Sequence, residues 1–121
     1  MDFSPFNTII KYCIQGMDLE EKGQLEAALQ LFMQGWKEAT NDHERFLTAH
    51  YIARRQPSTP ERLHWLEKAL EHALKTKDSS VTSAFPALYS KIADCYKELG
   101  DQENAEKFQK QSFAFQLHPT D

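Results

Sequence analysis

Turn-forming residues are scarce in this chain of 121 residues, which holds only four glycines and five prolines. Sandwiches and barrels need a turn signal about every 8 to 12 positions, so this scarcity disfavours an all-β fold. The two cysteines, Cys13 and Cys95, are too few for a disulfide scaffold and lack Cys-x-x-Cys spacing. We interpret both as small apolar packing residues. The composition therefore favours a helical fold built around an apolar core.

Long apolar runs and clusters of basic residues are also missing. No segment approaches the roughly 18 to 20 apolar residues that cross a bilayer, and residues 1–10 lack the basic segment of a signal peptide. The formal charge is -4, from 14 basic and 18 acidic residues, which disfavours binding to a phosphate backbone. We expect a cytoplasmic protein that binds neither nucleic acid nor membrane.

Catalytic and metal-binding motifs are absent from the sequence. The glycines never gather into a phosphate-binding or dinucleotide-binding loop. His43 and His50 are seven positions apart and His64 and His72 are eight apart, whereas zinc ligands on one helix are about four apart. We therefore predict no catalytic residue, no metal and no cofactor. An enzyme with an unrecognised site, using Cys13 or the histidines, is the alternative.

Apolar residues recur with the period of an α-helix. Leu25, Ala28, Phe32 and Trp36, for example, fall on one face of a helix. Six helices are predicted, at about 5–22, 24–39, 43–55, 60–76, 80–98 and 102–117. Pro86 lies inside the fifth of these and predicts either a late start near Ser83 or a kink.

An internal repeat becomes visible when Gly100 is laid on Gly23. Three segments then align with the spacing large, large, small and large. The first is Tyr12-x2-Gln15-Gly16-x2-Leu19, followed by Ala28-x3-Phe32, and the second is Phe46-x2-Ala49-His50-x2-Ala53, followed by Leu66 and Ala69. The third is Tyr89-x2-Ile92-Ala93-x2-Tyr96, followed by Ala105. The pattern resembles that of the tetratricopeptide repeat family, W-x2-L-G-x2-Y followed by A-x3-F. His50 departs from it, because the family has Gly or Ala at that position.

The resemblance implies an all-α fold, a right-handed α-α superhelix of three helix-turn-helix repeats made of six helices. The repeats cover about 9–42, 43–76 and 86–119 of a single domain spanning 1–121. A generic helical bundle is the alternative. In the family, the first helix of each repeat lines a concave groove that binds a peptide or protein partner, so the resemblance also implies a non-enzymatic scaffold or adaptor.

Carried over to this sequence, the groove would contain eleven side chains from the three first helices. They are Ile10, Cys13, Ile14, Met17, Leu47, Tyr51, Arg54, Arg55, Lys91, Asp94 and Lys97. Residues 43–77 sum to +3 (7 basic, 4 acidic), between -4 for 1–42 (3 basic, 7 acidic) and -3 for 78–121 (4 basic, 7 acidic). This distribution predicts a partner that carries apolar side chains and a carboxylate.

The same residues have a purely structural alternative. In it, the basic groups Arg54, Arg55 and Lys97 pair with Glu20, Glu21 or Glu98, and the apolar groups Ile10, Ile14 and Met17 pack on the chain around Phe3 and Phe6.

The last helix suggests a second function. Phe113 and Leu117 lie roughly 160° around it from Phe108 and Phe115. Because one neighbouring helix cannot cover so wide an apolar arc, a homodimer that buries Phe113 and Leu117 is the competing hypothesis.

Overall fold

The computed structural model describes residues 7–76 and 78–117, and every regular element within these ranges is helical. The helices are α1 (Thr8–Glu21), α2 (Leu25–Glu38), α3 (Asp42–Ala53), α4 (Thr59–Ala73), α5 (Ser79–Thr82), α6 (Phe85–Glu98) and α7 (Gln102–Leu117). Helix α5 is a single turn. The other six pair as three hairpins: α1 with α2, α3 with α4, and α6 with α7.

Glycine ends the first helix of the outer hairpins. Gly23 and Gly100 have φ of 77° and 79°, a left-handed conformation that costs glycine little because it has no Cβ. In the first hairpin, the Gln24 amide donates to the Leu19 carbonyl at 2.9 Å and the Gly23 amide donates to the Glu20 carbonyl at 3.0 Å. This pair of hydrogen bonds satisfies the last carbonyls of α1 and turns the chain back into α2.

The three hairpins share one register. The residues that precede their first and second helices are 17 positions apart each time: Asn7 and Gln24, Asn41 and Ser58, Ala84 and Asp101. Equivalent positions can therefore be read directly from one hairpin to the next.

The hairpins stack through a continuous apolar interior. Helix α2 contacts α3, α4 contacts α6, and α1 contacts α3. Phe32, Ile52 and Ile92 are fully buried. One cluster of buried side chains joins α3, α4, α5 and α6, and a second joins α2 to α3. The described residues thus form an all-α stack of helix pairs.

Two of the predicted helices need correction. The first begins at Thr8 rather than at residue 5, because the Asn7 side chain caps it by accepting from the amides of Ile9 and Ile10 at 2.9 and 3.1 Å. The predicted fifth helix is divided into α5 and α6. Pro86 lies in the first turn of α6, where its missing N–H costs nothing, so the late start is confirmed and the kink is not. The repeat boundaries stay a prediction.

A buried carboxylate joins the starts of the first two hairpins. Glu44 is 8% exposed. It accepts from the Thr40 amide at 2.9 Å and from Asn7 Nδ2 at 3.1 Å, while its own amide donates to Asn41 Oδ1 at 2.9 Å. Burial alone would raise the pKa of Glu44, but the hydrogen bonds from Thr40, Asn7 and Asn41 outweigh it and lower the pKa.

We expect Glu44→Gln to lower the free energy of unfolding at neutral pH by about 1 to 2 kcal/mol, because an amide offers one acceptor oxygen where the carboxylate offers two. A lowered folded-state pKa stabilises the fold above the unfolded pKa of about 4.3, and this contribution is lost as the pH falls through the folded value. Denaturant titrations should therefore show the difference from the parent shrinking in acid. The control is Glu26→Gln, an exposed carboxylate in the first turn of α2. An equal loss in both variants would contradict this role for Glu44.

Candidate functional site

A pocket of about 200 Å³ opens between α3, α4 and α6, and we call it the middle pocket. Its lining combines apolar, cationic and anionic side chains: Ala53, Leu66, Cys95, His50, Arg54, Arg62, Lys91, Asp94 and Glu98. Its volume lies below the roughly 300 to 1,000 Å³ of pockets that hold drug-sized ligands. The pocket is therefore of a size for a single side chain.

Two side chains that line the middle pocket stand at positions that are small in the outer hairpins. One of these positions lies on the first helix of each hairpin, nine residues after the N-cap. It is Gly16 in the first hairpin, His50 in the middle hairpin and Ala93 in the third. The other position lies on the second helix, four residues after the residue that precedes that helix. It is Ala28, Arg62 and Ala105 in the three hairpins in turn. The signature position in the middle repeat is thus Arg62, which the sequence alignment did not identify.

The first hairpin shows how the equivalent space is closed elsewhere. A Cβ on Gly16 would lie 2.3 Å from Cε1 of Phe32, so the phenylalanine ring fills the gap against the bare glycine backbone. Leu66 takes the place of Phe32 in the middle hairpin. Leu66 and His50, the counterparts of Phe32 and Gly16, both line the middle pocket.

Two of the polar groups in the middle pocket are already paired. Arg62 Nη2 lies 3.1 Å from Glu98 Oε2 and donates to Thr59 Oγ1 at 2.8 Å.

Burial lowers the pKa of His50 to about 4, with a further contribution from the nearby cations Lys91 and Arg54. His50 is therefore a neutral imidazole at physiological pH.

Two other charged side chains of the middle pocket, Lys91 and Asp94 on α6, have no hydrogen bond or ion pair among the described residues. Lys91 and Asp94 are exposed, and neither makes a hydrogen bond or ion pair with any residue of 7–76 or 78–117. Lys91 is thus the cation of this pocket that an incoming anion can reach without breaking an existing contact.

A second depression lies beside the middle pocket and shares Arg54 with it. This turn depression, of about 480 Å³, is lined by Met17, Glu20, Glu21, Leu25, Arg54 and Arg55. The Arg54 guanidinium donates to both carboxylate oxygens of Glu20, from Nε at 3.1 Å and from Nη2. Arg55 Nε lies 3.0 Å from Glu20 Oε2. Of the predicted pairings, the ion pairs of both arginines with Glu20 are therefore present.

The predicted groove residues are divided among several places. Arg54, Lys91 and Asp94 line the middle pocket, and Met17 and Arg55 line the turn depression. Lys97 lies with Asp94 in another depression between α6 and α7. The other predicted members line none of these depressions: Ile10, Cys13, Ile14, Leu47 and Tyr51.

Cys13 is placed in the interior rather than on a surface. It is 2% exposed, and burial raises the pKa of its thiol to about 12. Tyr51 has a supporting role, since its ring stacks on Phe32 with centroids 5.1 Å apart and carries the Arg54 guanidinium 4.7 Å above it. Ile14 is 52% exposed.

The proposed dimer surface is described only in part. Phe113 is 54% exposed, whereas Phe115 stacks on Phe85 with centroids 4.9 Å apart. The side chain of Leu117 lies outside the described residues. The homodimer stays a prediction.

Sequence reasoning missed His50, Arg62 and Glu98 as pocket residues. Arg62 was missed because the family pattern directs attention to the first helices, whereas Arg62 lies on α4. Glu98 lies on the first helix α6 and was predicted only as an ion-pair partner. The signal for His50 was visible, because it breaks the small-residue position of the repeat.

Among residues 7–76 and 78–117, no group of three or more His, Cys, Asp or Glu side chains is placed to hold a metal ion. The helices within those ranges include none of the length and apolar character that a membrane span requires.

The fold has a clear relative among solved structures. The crystal structure of the TPR domain of Arabidopsis FLU is similar to this chain with a TM-score of 0.69 at 25% sequence identity, covering 92% of this chain and 96% of that one. No protein-family model and no curated protein matches the chain. The chain therefore has a tetratricopeptide-repeat-like fold, an all-α helical repeat. Repeat arrays use extended surfaces of the stack to bind partners, so the general class is a protein-protein interaction module.

Proposed function

We propose that this protein is a non-enzymatic adaptor that binds an extended peptide segment of a partner protein across the middle pocket and the turn depression. The observation that carries the proposal is that these two depressions meet at Arg54 and together present apolar and charged groups on neighbouring hairpins, among which Lys91 is a cation without an ion pair in the described residues. A cytoplasmic location is part of this proposal.

The lining defines the chemistry of the partner. Leu66, Ala53 and Cys95 offer an apolar floor for one side chain, and Met17 and Leu25 offer a second apolar area beside Arg54. Lys91 supplies a cation for a carboxylate. A segment with apolar side chains around an acidic group would therefore be complementary to the groove.

The test is a charge reversal at Lys91. Peptides are first selected from a random display library on the parent protein, and their dissociation constants are then measured by fluorescence polarisation. Lys91→Glu is expected to weaken the selected peptides about tenfold or more, because it removes an attraction and adds a repulsion at the same place.

Lys97→Glu is the matched control, since Lys97 is also an exposed lysine of α6 but lies outside the middle pocket. It should leave the dissociation constant within twofold. Equal losses in both variants would point to net charge alone, and binding that is insensitive to Lys91→Glu would place the peptide elsewhere. Failure of the library to yield any binder would overturn the proposed function.

A further inference from the structure

The arginines nearest the groove already hold a carboxylate of this chain. Glu20, near the end of α1, accepts two hydrogen bonds from the Arg54 guanidinium and lies 3.0 Å from Arg55 Nε. This is the arrangement in which a guanidinium would bind a carboxylate of a partner.

Of the three side chains Glu20, Arg54 and Arg55, the glutamate is the least exposed to solvent. The Glu20 side chain is 13% exposed, compared with 40% for Arg54 and 25% for Arg55. Arg54 is also held against the face of Tyr51. Arg55 Nε is buried and has no hydrogen-bond partner among the described residues. Its contact with Glu20 is therefore an attraction between charges without an aligned hydrogen bond. Access to this carboxylate is therefore more restricted than access to the arginines that hold it.

The pairing changes how many anionic groups the groove can accept. The first acidic group of a partner can reach Lys91, which is exposed and unpaired within the described residues. A second acidic group beside it would approach Arg54, whose Nε and Nη2 already donate to Glu20. To use these donors it would have to displace the Glu20 carboxylate or bind next to it. Like charges brought together at a partly buried site are unfavourable.

We infer that Glu20 is a specificity-determining residue that restricts the groove to partner segments with a single acidic residue, by occupying the site between Arg54 and Arg55. The inference rests on the proposed function, because it concerns the same groove. The inference goes beyond the proposed function because it predicts which peptides bind weakly.

The experiment compares one probe peptide with a series of peptides derived from it. The probe is the tightest one-acid peptide from the library selection, and the second peptide series carries one added glutamate at each remaining position in turn. The parent protein should bind no member of the series more tightly than the probe, a measurement that needs no variant.

Glu20→Gln removes the charge and frees both guanidinium groups, so at least one two-acid peptide should then bind about tenfold more tightly than to the parent. Glu26→Gln is the matched control, because it removes the same charge from an exposed carboxylate that lines neither the middle pocket nor the turn depression. Glu20→Asp keeps the charge and should keep the preference of the parent. Circular dichroism checks that each variant is folded.

Two results would overturn the inference and leave the proposed function standing. One is a parent protein that binds a two-acid peptide more tightly than the probe. The other is a folded Glu20→Gln variant with the preference of the parent. A library that yields no peptide at all would instead remove the proposed function, and the inference with it.

Discussion

Replacing Phe32 by alanine is expected to lower the free energy of unfolding by about 3 to 5 kcal/mol, the range typical of a large aromatic side chain removed from a core. Phe32 has no exposed surface. Its ring lies over Gly16, stacks on Tyr51 with an interplanar angle of 19°, and belongs to the cluster that joins α2 to α3. The truncation therefore removes contacts with both α1 and α3 at once.

Urea titrations followed by far-UV circular dichroism measure this loss. Phe32→Leu is the control, because it retains an apolar side chain of intermediate size and should lose clearly less. An equal loss of unfolding free energy in both variants would show that the aromatic ring is not needed for the packing of the first hairpin against the second.

Adding a single methyl group at Gly16 is expected to destabilise the protein by about 1 to 3 kcal/mol. The direction is informative, because Gly→Ala inside a helix ordinarily stabilises it by about 1 kcal/mol. Here the new Cβ would lie 2.3, 2.8 and 2.9 Å from three carbon atoms of the Phe32 ring. The ring cannot move aside freely, since it is fully buried and stacked on Tyr51.

The neighbouring substitution Gln15→Ala provides the comparison, because Gln15 is exposed on the same helix. It should leave the unfolding midpoint almost unchanged. A Gly16→Ala variant as stable as the parent would show that the close approach of α1 and α2 does not depend on glycine.

Much of the fold follows from local signals in the sequence. The apolar period predicts helices, Asn41 and Asp78 cap α3 and α5 as their residue types suggest, and Pro86 predicts the late start of α6. The choice of residue 5 as the start of α1 was wrong, because the Asn7 side chain caps the helix and the helix begins at Thr8. Such a choice depends on where the next hairpin packs, which no local pattern contains.

The candidate site was predictable only where it lies on the first helices. Arg54, Lys91 and Asp94 follow from the family register, and the structure brings them together. Arg62 occupies a position that is alanine in both neighbouring hairpins, so the alignment passed over it in favour of Leu66 and Ala69. The pairing of Arg54 and Arg55 with Glu20 rather than with Glu21 or Glu98 needs the three-dimensional distances.

The pairing of Arg54 and Arg55 with Glu20 also bears on the speed of association. Two guanidinium groups around one carboxylate leave a net charge of +1 instead of +2, and this remaining charge is screened beyond a Debye length, about 8 Å at physiological ionic strength. The whole chain carries -4, so an acidic partner experiences weak repulsion at long range and attraction only once it arrives. We therefore expect little electrostatic acceleration of encounter with an acidic partner, so that differences in affinity arise mainly from the lifetime of the complex.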